Sequence, residues 1–149
     1  FNTSCSSDDN DSPDESQLPL KEYRITVKGV LDGDYSNYPN PTNNSFIATF
    51  IKDDTSEMIT YTEPLTNELN LEKVKIVSAR NQVGVKLNIN QLQTTLYYIE
   101  IKIEDLETGT TIYNNQINKS LVSENPNSSN SLEIKVVYDV VTNSTTLSQ

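Results

Sequence analysis

Hydrophobic and polar side chains alternate along much of the chain from Lys21 onward. In the clearest run, Tyr97, Ile99, Ile101 and Ile103 alternate with Tyr98, Glu100, Lys102 and Glu104. Similar alternation occurs over residues 23–28, 83–89 and 132–138. Because successive side chains of a strand point to opposite faces, a period of two predicts antiparallel strands with one buried and one solvated face.

Four further segments, at residues 46–51, 58–62, 74–79 and 110–117, also predict strands. The first is apolar on both faces, which is typical of a strand in the centre of a sheet. Two turn signals join neighbouring strands: Lys52-Asp53-Asp54-Thr55, and a loop ending at Gly109, which we expect in a left-handed conformation. The pattern predicts a single all-β domain, an immunoglobulin-like or fibronectin type III-like antiparallel β-sandwich of about 7–8 strands.

Other regions carry weaker patterns. Residues 64–73 are the one segment whose spacing suits a short helix, because Leu65 and Leu69 lie four residues apart, although Leu71 breaks that spacing. Residues 125–130 are rich in Asn and Ser and predict a loop, and residues 142–149 predict a frayed end. We therefore divide the chain into an acidic disordered segment over 1–20, a sandwich domain over 21–142 and a tail over 143–149.

Composition places part of the chain outside the core. The 149 residues suit one domain, but 34% hydrophobic residues is below the average of about 45–50% for globular domains. Residues 1–20 contain five acids and no base, and the whole chain has a formal net charge of −10. Such a charge disfavours binding to phosphate backbones and polybasic membrane contact, so we expect no nucleic-acid partner.

Cys5 is the single cysteine, which excludes an intrachain disulfide and the disulfide-scaffold class of secreted proteins. No apolar run reaches the roughly 18 residues that predict a transmembrane helix. The sequence also contains no signal-peptide hydrophobic region. Two alternatives follow: a cytosolic protein, or a protein whose signal segment lies outside this sequence.

Residues 1–11, Phe-Asn-Thr-Ser-Cys-Ser-Ser-Asp-Asp-Asn-Asp, resemble the cleavage region of bacterial lipoproteins. In that family small residues, here Thr3 and Ser4, precede a cysteine that becomes lipidated and N-terminal. Asn2 stands where the family usually has a Leu-like residue. The acidic run after Cys5 is similar to the export signal of Bacteroidota-type surface-exposed lipoproteins. The resemblance implies a covalent lipid on Cys5 and display at the cell surface, on the outer membrane.

The composition of residues 6–20 agrees with a tether. Ser, Asp, Asn, Glu and Pro cannot bury enough apolar area to offset chain entropy, so we expect a solvated, extended spacer. Several acyl chains on one cysteine would give stable anchoring, whereas a single chain gives marginal binding. The alternative is that Cys5 is an incidental residue of a disordered acidic segment.

The residue types present disfavour catalysis. The chain has no histidine, and its one cysteine lies in the N-terminal segment, so no Cys/His nucleophile or zinc site can form. Paired carboxylates remain formally available for glycoside hydrolysis. Glu100 and Glu104, however, alternate onto the solvated face of one strand, where surface carboxylates are ordinary. We therefore expect a protein that is not an enzyme.

Asp32, Asp34 and Ser36 offer oxygens at alternating positions, as at the start of a calcium loop. Asn37 and Asn43 occupy the positions where an EF-hand requires Gly and Glu, so that motif fails. A loose extracellular calcium site is the functional interpretation. An ordinary Asx-rich turn is the interpretation that we prefer, and we assign no metal ligand from the sequence.

Tyr35 and Tyr38 lie with Pro39 and Pro41 in the long connection that follows the first predicted strand. Exposed tyrosines on such a loop can stack on a sugar ring or anchor a protein partner, because they lose little entropy on ordering. The alternative is that both rings fold back and cover the sheet.

These observations predict a lipid-anchored, non-enzymatic surface protein whose sandwich binds or supports a protein partner, as a subunit of an outer-membrane complex. A glycan-binding or adhesive module that uses Tyr35 and Tyr38 is the alternative, and a hydrolase is the last. Beyond the lipid on Cys5 we expect no cofactor. Strand addition at a sheet edge is a further route to binding, but the sequence does not identify the edge strands.

Overall fold

The computed structural model describes residues 18–32, 44–63, 68–91, 96–119 and 130–149. Within these ranges the chain forms strands and turns and no helix. The strands are β1 (Lys21–Asp32), β2 (Asn44–Lys52), β3 (Thr55–Glu63), β4 (Glu68–Ala79), β5 (Gln82–Gln91), β6 (Leu96–Asp105), β7 (Thr110–Lys119), β8 (Asn130–Asp139) and β9 (Ser144–Ser148). The predicted all-β class is therefore confirmed.

The strands form two antiparallel sheets. The four-stranded sheet has the order β4-β1-β6-β7, and the five-stranded sheet has the order β3-β2-β5-β8-β9. As the apolar pattern of residues 46–51 predicted, β2 lies inside its sheet, between β3 and β5. The hairpin predicted around Gly109 is also present, since β6 pairs with β7 and Gly109 has φ 70°.

One hydrophobic core joins the sheets, which gives the two-layer arrangement of a sandwich. Alternate residues of β1 and β6, such as Ile25 and Ile101, are fully buried, and so are Val85 of β5 and Ile134 of β8. At one end of the core the rings of Tyr23 and Tyr138, from opposite sheets, meet edge to face with centroids 6.3 Å apart. The alternation seen in the sequence therefore corresponds to the inward and outward faces.

The short helix considered for residues 64–73 is wrong for residues 68–73, which belong to β4. This strand pairs with β1 along its whole length, from Lys21 opposite Ala79 to Asp32 opposite Glu68. A continuous partner strand stabilises the extended backbone, and that tertiary pairing outweighs a weak local helix preference. Residues 64–67 lie outside the described ranges.

The frayed tail predicted after residue 142 is instead a strand over Ser144–Ser148. This strand, β9, pairs with the edge of β8 through a tight turn in which Asn143 has φ 50°. The turn is held by Asp139, whose Oδ1 accepts the Thr142 N–H at 2.9 Å, and by the Tyr138 hydroxyl, which is 3.1 Å from Asn143 Oδ1. A short run of Ser and Thr carries little apolar alternation, so its order depends on the turn and on β8.

Tight turns lie together at one end of the sandwich. There Asp53 N donates to Gln82 O at 2.8 Å, and Val140 N donates to Asn81 O at 2.8 Å. The Arg80 guanidinium donates to the carbonyl of Leu18, which fixes the chain as it enters β1. The N-terminal segment therefore joins the domain at the tight-turn end.

Asp53 crosslinks two of these turns. Its Oδ1 accepts the backbone N–H groups of Asn81 at 2.7 Å, Arg80 at 2.9 Å and Gln82 at 3.2 Å. Burial alone would raise the pKa of the Asp53 carboxyl, but these donors stabilise the anion more strongly and hold its pKa below the ordinary value.

Asp105 has the same role in the β6–β7 turn. Its Oδ1 accepts the N–H groups of Glu107 and Thr108, and its Oδ2 lies 3.3 Å from Lys21 Nζ. Burial again acts to raise the pKa, and the two N–H donors and the lysine more than offset it, so the pKa of Asp105 is lowered.

The strand ends on either side of positions 33–43, 64–67, 92–95 and 120–129 lie together at the opposite end of the sandwich. The register shows this directly: Asp32 is opposite Glu68 and Leu96, and Gln91 is opposite Asn130. Strands β1, β3, β5 and β7 begin at the tight-turn end and finish at this second end, whereas β9 ends opposite Lys135, in the middle of β8.

Candidate functional site

A groove lies on the outer face of the four-stranded sheet. It has a volume of about 380 Å³ and is open to solvent along one side. Its lining residues come from all four strands: Glu72 and Val74 of β4, Arg24, Thr26 and Lys28 of β1, Glu100, Lys102 and Glu104 of β6, and Asn114 of β7. We call this set the charged face.

Strand register arranges the charges of this face in opposed pairs. Across β1 and β6, Arg24 is opposite Glu104 and Lys28 is opposite Glu100. On the other side of β1, Lys28 is opposite Glu72 and Thr26 is opposite Val74. Each pair of oppositely charged residues on neighbouring strands stabilises the strand pairing by roughly 0.2–1 kcal/mol. The face thus carries mixed charge without a large excess of either sign.

Glu104 is the most constrained carboxylate of the charged face. Its oxygens lie 2.8 Å from Lys102 Nζ and 3.8 Å from Arg24 Nη1. The hydrogen bond from Lys102 is the main reason why the pKa of Glu104 is lowered; partial desolvation opposes it, and the charges of Lys102 and Arg24 add to it. A carboxyl held ionised in this way is poorly suited to act as a general acid.

Glu100, the second carboxylate considered from the sequence, has a separate environment. It accepts the Tyr98 hydroxyl at 2.7 Å, an interaction that raises the pKa of that tyrosine. Glu100 and Glu104 lie four residues apart on β6, so their Cα atoms are separated by about 13 Å at roughly 3.3 Å per residue. The carboxyl pairs of glycosidases lie about 5–10 Å apart. The backbone therefore does not present these residues as a close catalytic pair.

Two apolar side chains extend the charged face to the edge of the sheet. Val74 and Ile76 lie on the outer side of β4, opposite Thr26 and Arg24, and are 53% and 51% exposed. Among the described strands β4 is an edge strand, with β1 on one side only. Single exposed apolar residues are common, but an apolar pair on an open strand edge is typical of an interaction surface.

The inner side of β4 carries cations at the same edge. Lys75 Nζ lies 2.8 Å from the carboxylate of Glu57, and Lys73 Nζ lies 4.7 Å from the ring centroid of Tyr61. Both partners belong to β3, the edge strand of the other sheet. The two sheets are thus joined along this side by an ion pair and a cation–π contact, which we call the β3–β4 seam.

Most of the site residues predicted from the sequence lie outside the described residues. These are Cys5, Asp34, Tyr35, Ser36 and Tyr38. Asp32 is the last residue of β1, and its side chain is likewise not described. In the described part of the chain, no group of three or more acidic or cysteine side chains could hold a metal ion.

Sequence reasoning missed the edge of β4 as a site. The alternation over residues 72–77 is visible in the sequence, with Val74 and Ile76 on one side and Lys73 and Lys75 on the other. An alternating strand ordinarily buries its apolar side, whereas here the lysines share the inner side with Val77 and Ala79. Either side of this segment that faces inward leaves lysines or apolar residues in an unusual place. Because inward lysines are a known feature of edge strands, this pattern is the signal from which the edge could have been predicted.

Comparison with known proteins identifies no relative. No protein-family model matches the chain, and no curated protein or solved structure matches it either. Among the described residues, no helix is long and apolar enough to cross a membrane.

Proposed function

We propose that this protein is a lipid-anchored, surface-displayed binding or accessory protein, without enzymatic activity, that docks a protein partner in an outer-membrane complex. The observation that carries this proposal is the exposed pair Val74 and Ile76 on the edge of the charged face. Apolar contacts supply most of the energy of protein association, and a rim of opposed charges adds orientation and specificity. The charged face combines both features.

The charges around the apolar pair favour a protein over a nucleic acid or an anionic lipid. Arg24, Lys28 and Lys102 are each close to a glutamate, so the described residues of this face form no uncompensated basic patch. Recognition of phosphate groups relies on an excess of positive charge. A partner with its own mixed charges and a small apolar centre fits this face better.

The position of the N-terminal segment agrees with display away from a membrane. Leu18 is held by Arg80 at the tight-turn end, and β1 runs from there to Asp32 at the other end. A lipid on Cys5 would therefore attach through the tight-turn end. The charged face lies along the side of the sandwich and would stay accessible above the membrane.

Membrane fractionation of the Cys5→Ser variant tests the anchor. We expect the wild-type chain in the outer-membrane fraction, accessible to protease added outside intact cells, and the variant in the soluble fraction. Unchanged fractionation would leave Cys5 as an incidental residue of an acidic segment. A serine side chain has nearly the size and polarity of cysteine, so a change would report the lost thiol.

Co-purification from native membranes tests the binding face. The double variant Val74→Thr and Ile76→Thr keeps strand propensity and removes apolar area, and it should lose partners that the wild-type chain retains. Met58→Thr is the matched control, because Met58 is an exposed apolar residue, 69% accessible, on the edge strand β3. Equal loss in both variants, or in neither, would reject the charged face as the binding surface.

A glycan-binding or adhesive function that uses Tyr35 and Tyr38 is the second candidate. It is favoured by one observation: Asp32 and Asn44, which flank this connection, lie at the end opposite the entry of the N-terminal segment. Glycan-array binding that Tyr35→Ala and Tyr38→Ala abolish would support it. No binding to any glycan on a broad array would favour the protein partner.

We also propose an immunoglobulin-like or fibronectin type III-like relationship for the sandwich. In its favour, β1 pairs with β4 in one sheet while β3, β2 and β5 are neighbours in the other, which corresponds to B–E and C′–C–F pairing. The order departs from that fold in that the other neighbour of β1, on the side away from β4, is the later strand β6.

A calcium ion at Asp32, Asp34 and Ser36 is a further proposal, and calcium titration followed by thermal unfolding would test it.

A further inference from the structure

We propose that the outer face of the five-stranded sheet is a second binding surface, which takes a carboxylate side chain of a partner protein between Lys86 and Lys135. This surface and the charged face lie on opposite sides of the sandwich, because the inner sides of both sheets meet at the shared core. The inference goes beyond the proposed function, since it adds a protein contact that does not involve Val74 or Ile76.

Two like charges are in register on this face. Lys86 of β5 and Lys135 of β8 lie directly opposite each other. The residues beside them in sequence, such as Val85 and Val136, are fully buried, so both lysines point outward. Directly opposed side chains have Cβ atoms about 4.5–5.5 Å apart, and like charges in this position destabilise strand pairing. The strand register therefore holds two positive charges side by side.

These two charges have no compensating partner among the described residues. Neither lysine makes a hydrogen bond or an ion pair with a described side chain. Their other cross-strand neighbours are the hydroxyl residues Thr49 and Ser148. Glu133, on the same face of β8, is opposite Asn88 and forms no ion pair with either lysine. On the charged face, by contrast, each basic residue is close to a glutamate.

Apolar residues and a shallow hollow adjoin the lysine pair. In the next row of the sheet Ile51, Gly84 and Val137 are in register, and Gly84 has no side chain to separate the other two. Ile51 and Val137 are both partly exposed. A hollow of about 270 Å³ beside this row is lined by Gln82, Lys135, Val137, Thr146 and Ser148. The outer face thus places the two charges next to a small apolar area and several hydroxyl groups.

This combination favours a carboxylate on a protein over a long polyanion. The two ammonium groups can each donate a charge-assisted hydrogen bond to one carboxylate, which offsets their mutual repulsion. A nucleic acid or an acidic polysaccharide would instead be repelled by the net charge of −10 of the whole chain. The apolar area beside the lysines fits a protein segment in which apolar residues flank a glutamate.

NMR titration of the full chain with two short capped peptides tests this site. In one peptide a glutamate lies between valines, and in the other a glutamine replaces that glutamate. An exposed ion pair contributes up to about five-fold in affinity, so the two lysines together should favour the glutamate peptide by about ten-fold. The side-chain signals of Lys86 and Lys135 should shift on binding, and the preference should decrease as salt is added.

The Lys86→Glu variant separates a binding role from a structural one. It places opposite charges across β5 and β8, so the urea concentration at the unfolding midpoint should increase while the preference for the glutamate peptide is lost. Lys28→Gln is the matched control, because Lys28 is an exposed lysine of the charged face near Glu72, and it should keep the preference. A preference that persists in Lys86→Glu, or that is lost in Lys28→Gln, would overturn the inference.

Further outcomes separate this inference from the proposed function. The double variant Val74→Thr and Ile76→Thr should bind the glutamate peptide as the wild-type chain does. If native partners depend on Val74 and Ile76 while the peptide does not bind, the second surface is wrong and the charged face stands. Equal affinity for both peptides, equal lysine shifts with inorganic phosphate, or self-association through this face would each overturn the inference. Lysine signals that change without peptide when Asp8, Asp9 and Asp11 are replaced by Asn would also overturn it, since the chain's own acidic segment would then be the occupant.

Discussion

The Asp53 carboxylate accepts the backbone N–H of Asn81 at 2.7 Å, linking the β2–β3 turn of one sheet to the chain as it crosses from the other sheet. Two further N–H groups, of Arg80 and Gln82, point at the same oxygen. The Asp53 side chain thus accepts the backbone N–H groups of residues 80–82, which connect β4 and β5. The tight-turn end gains rigidity from this contact.

We expect Asp53→Ala to lower the free energy of unfolding by about 2–3 kcal/mol, because it leaves several partly buried N–H donors without their charged acceptor. Asp53→Asn should cost less, since its amide oxygen can still accept and Asn tolerates the positive φ of this position. Urea denaturation would measure both. Asp54→Ala, at the exposed neighbouring residue, is the control and should change stability little.

Acidification should destabilise the protein through Asp53, Asp105 and Asp139. In each, hydrogen bonds lower the pKa of the folded state below the ordinary value. Such groups stabilise the fold fully above the unfolded pKa of about 3.9, and this contribution is lost as pH falls through the folded pKa. The urea concentration at the unfolding midpoint should decrease as the pH is lowered below about 4. This decrease should be smaller in Asp53→Asn. An identical pH dependence in that variant would contradict this origin.

Alkaline pH should destabilise the protein through Tyr23. Burial raises the pKa of this core tyrosine to about 12, above its unfolded value of about 10. Because the neutral form is favoured in the folded state, the contribution is complete below the unfolded pKa and is lost as pH rises toward 12. In Tyr23→Phe the free energy of unfolding should decrease less between neutral and alkaline pH than in the wild-type chain, because no hydroxyl remains at this position to ionise. Tyr61→Phe, at a partly buried tyrosine of β3, is the control variant.

Gly84→Ala should be strongly destabilising. A Cβ at Gly84 would lie 2.2 Å from the backbone oxygen of Val136 and 2.9 Å from the Cα of Val137, so β5 and β8 would have to separate. We expect a loss above about 2 kcal/mol, as in overpacked cores. Gly109→Ala is the informative comparison: it has open space, and its positive φ should cost about 1–2 kcal/mol. A smaller effect at Gly84 than at Gly109 would show that the sheet yields easily.

Replacing both seam lysines, Lys73→Thr with Lys75→Thr, should promote self-association. The exchange removes inward cations from a long open edge and leaves Val74 and Ile76 exposed, which is the combination expected to pair edge to edge. Sedimentation at rising concentration would detect the association. Lys86→Thr, on the interior strand β5, should leave the association state unchanged. A monomeric double variant would show that the lysines do not protect this edge.

Short windows of the sequence are enough to predict the local features of this protein. Alternation in residues 97–104 reflects the two faces of a strand. Gly109 reflects a turn that requires a positive φ, which residues with a Cβ rarely adopt. Both features could be predicted from neighbouring residues alone. The all-β class, the central position of β2 and the turn after Lys52 followed in the same way. The lipid on Cys5 and the partner contacts of Tyr35 and Tyr38 remain predictions.

Which strand forms an edge, and which of its sides faces inward, depends on pairing between distant parts of the chain. Residues 72–77 alternate equally well in either orientation, and pairing with the distant β1 fixes the one in which Lys73 and Lys75 face inward and Val74 and Ile76 face solvent. The strand character of residues 68–73 and of β9 likewise depends on partner strands. Strand pairing is a non-local interaction, so its energy is invisible to any window of sequence and becomes apparent only when the sheets form.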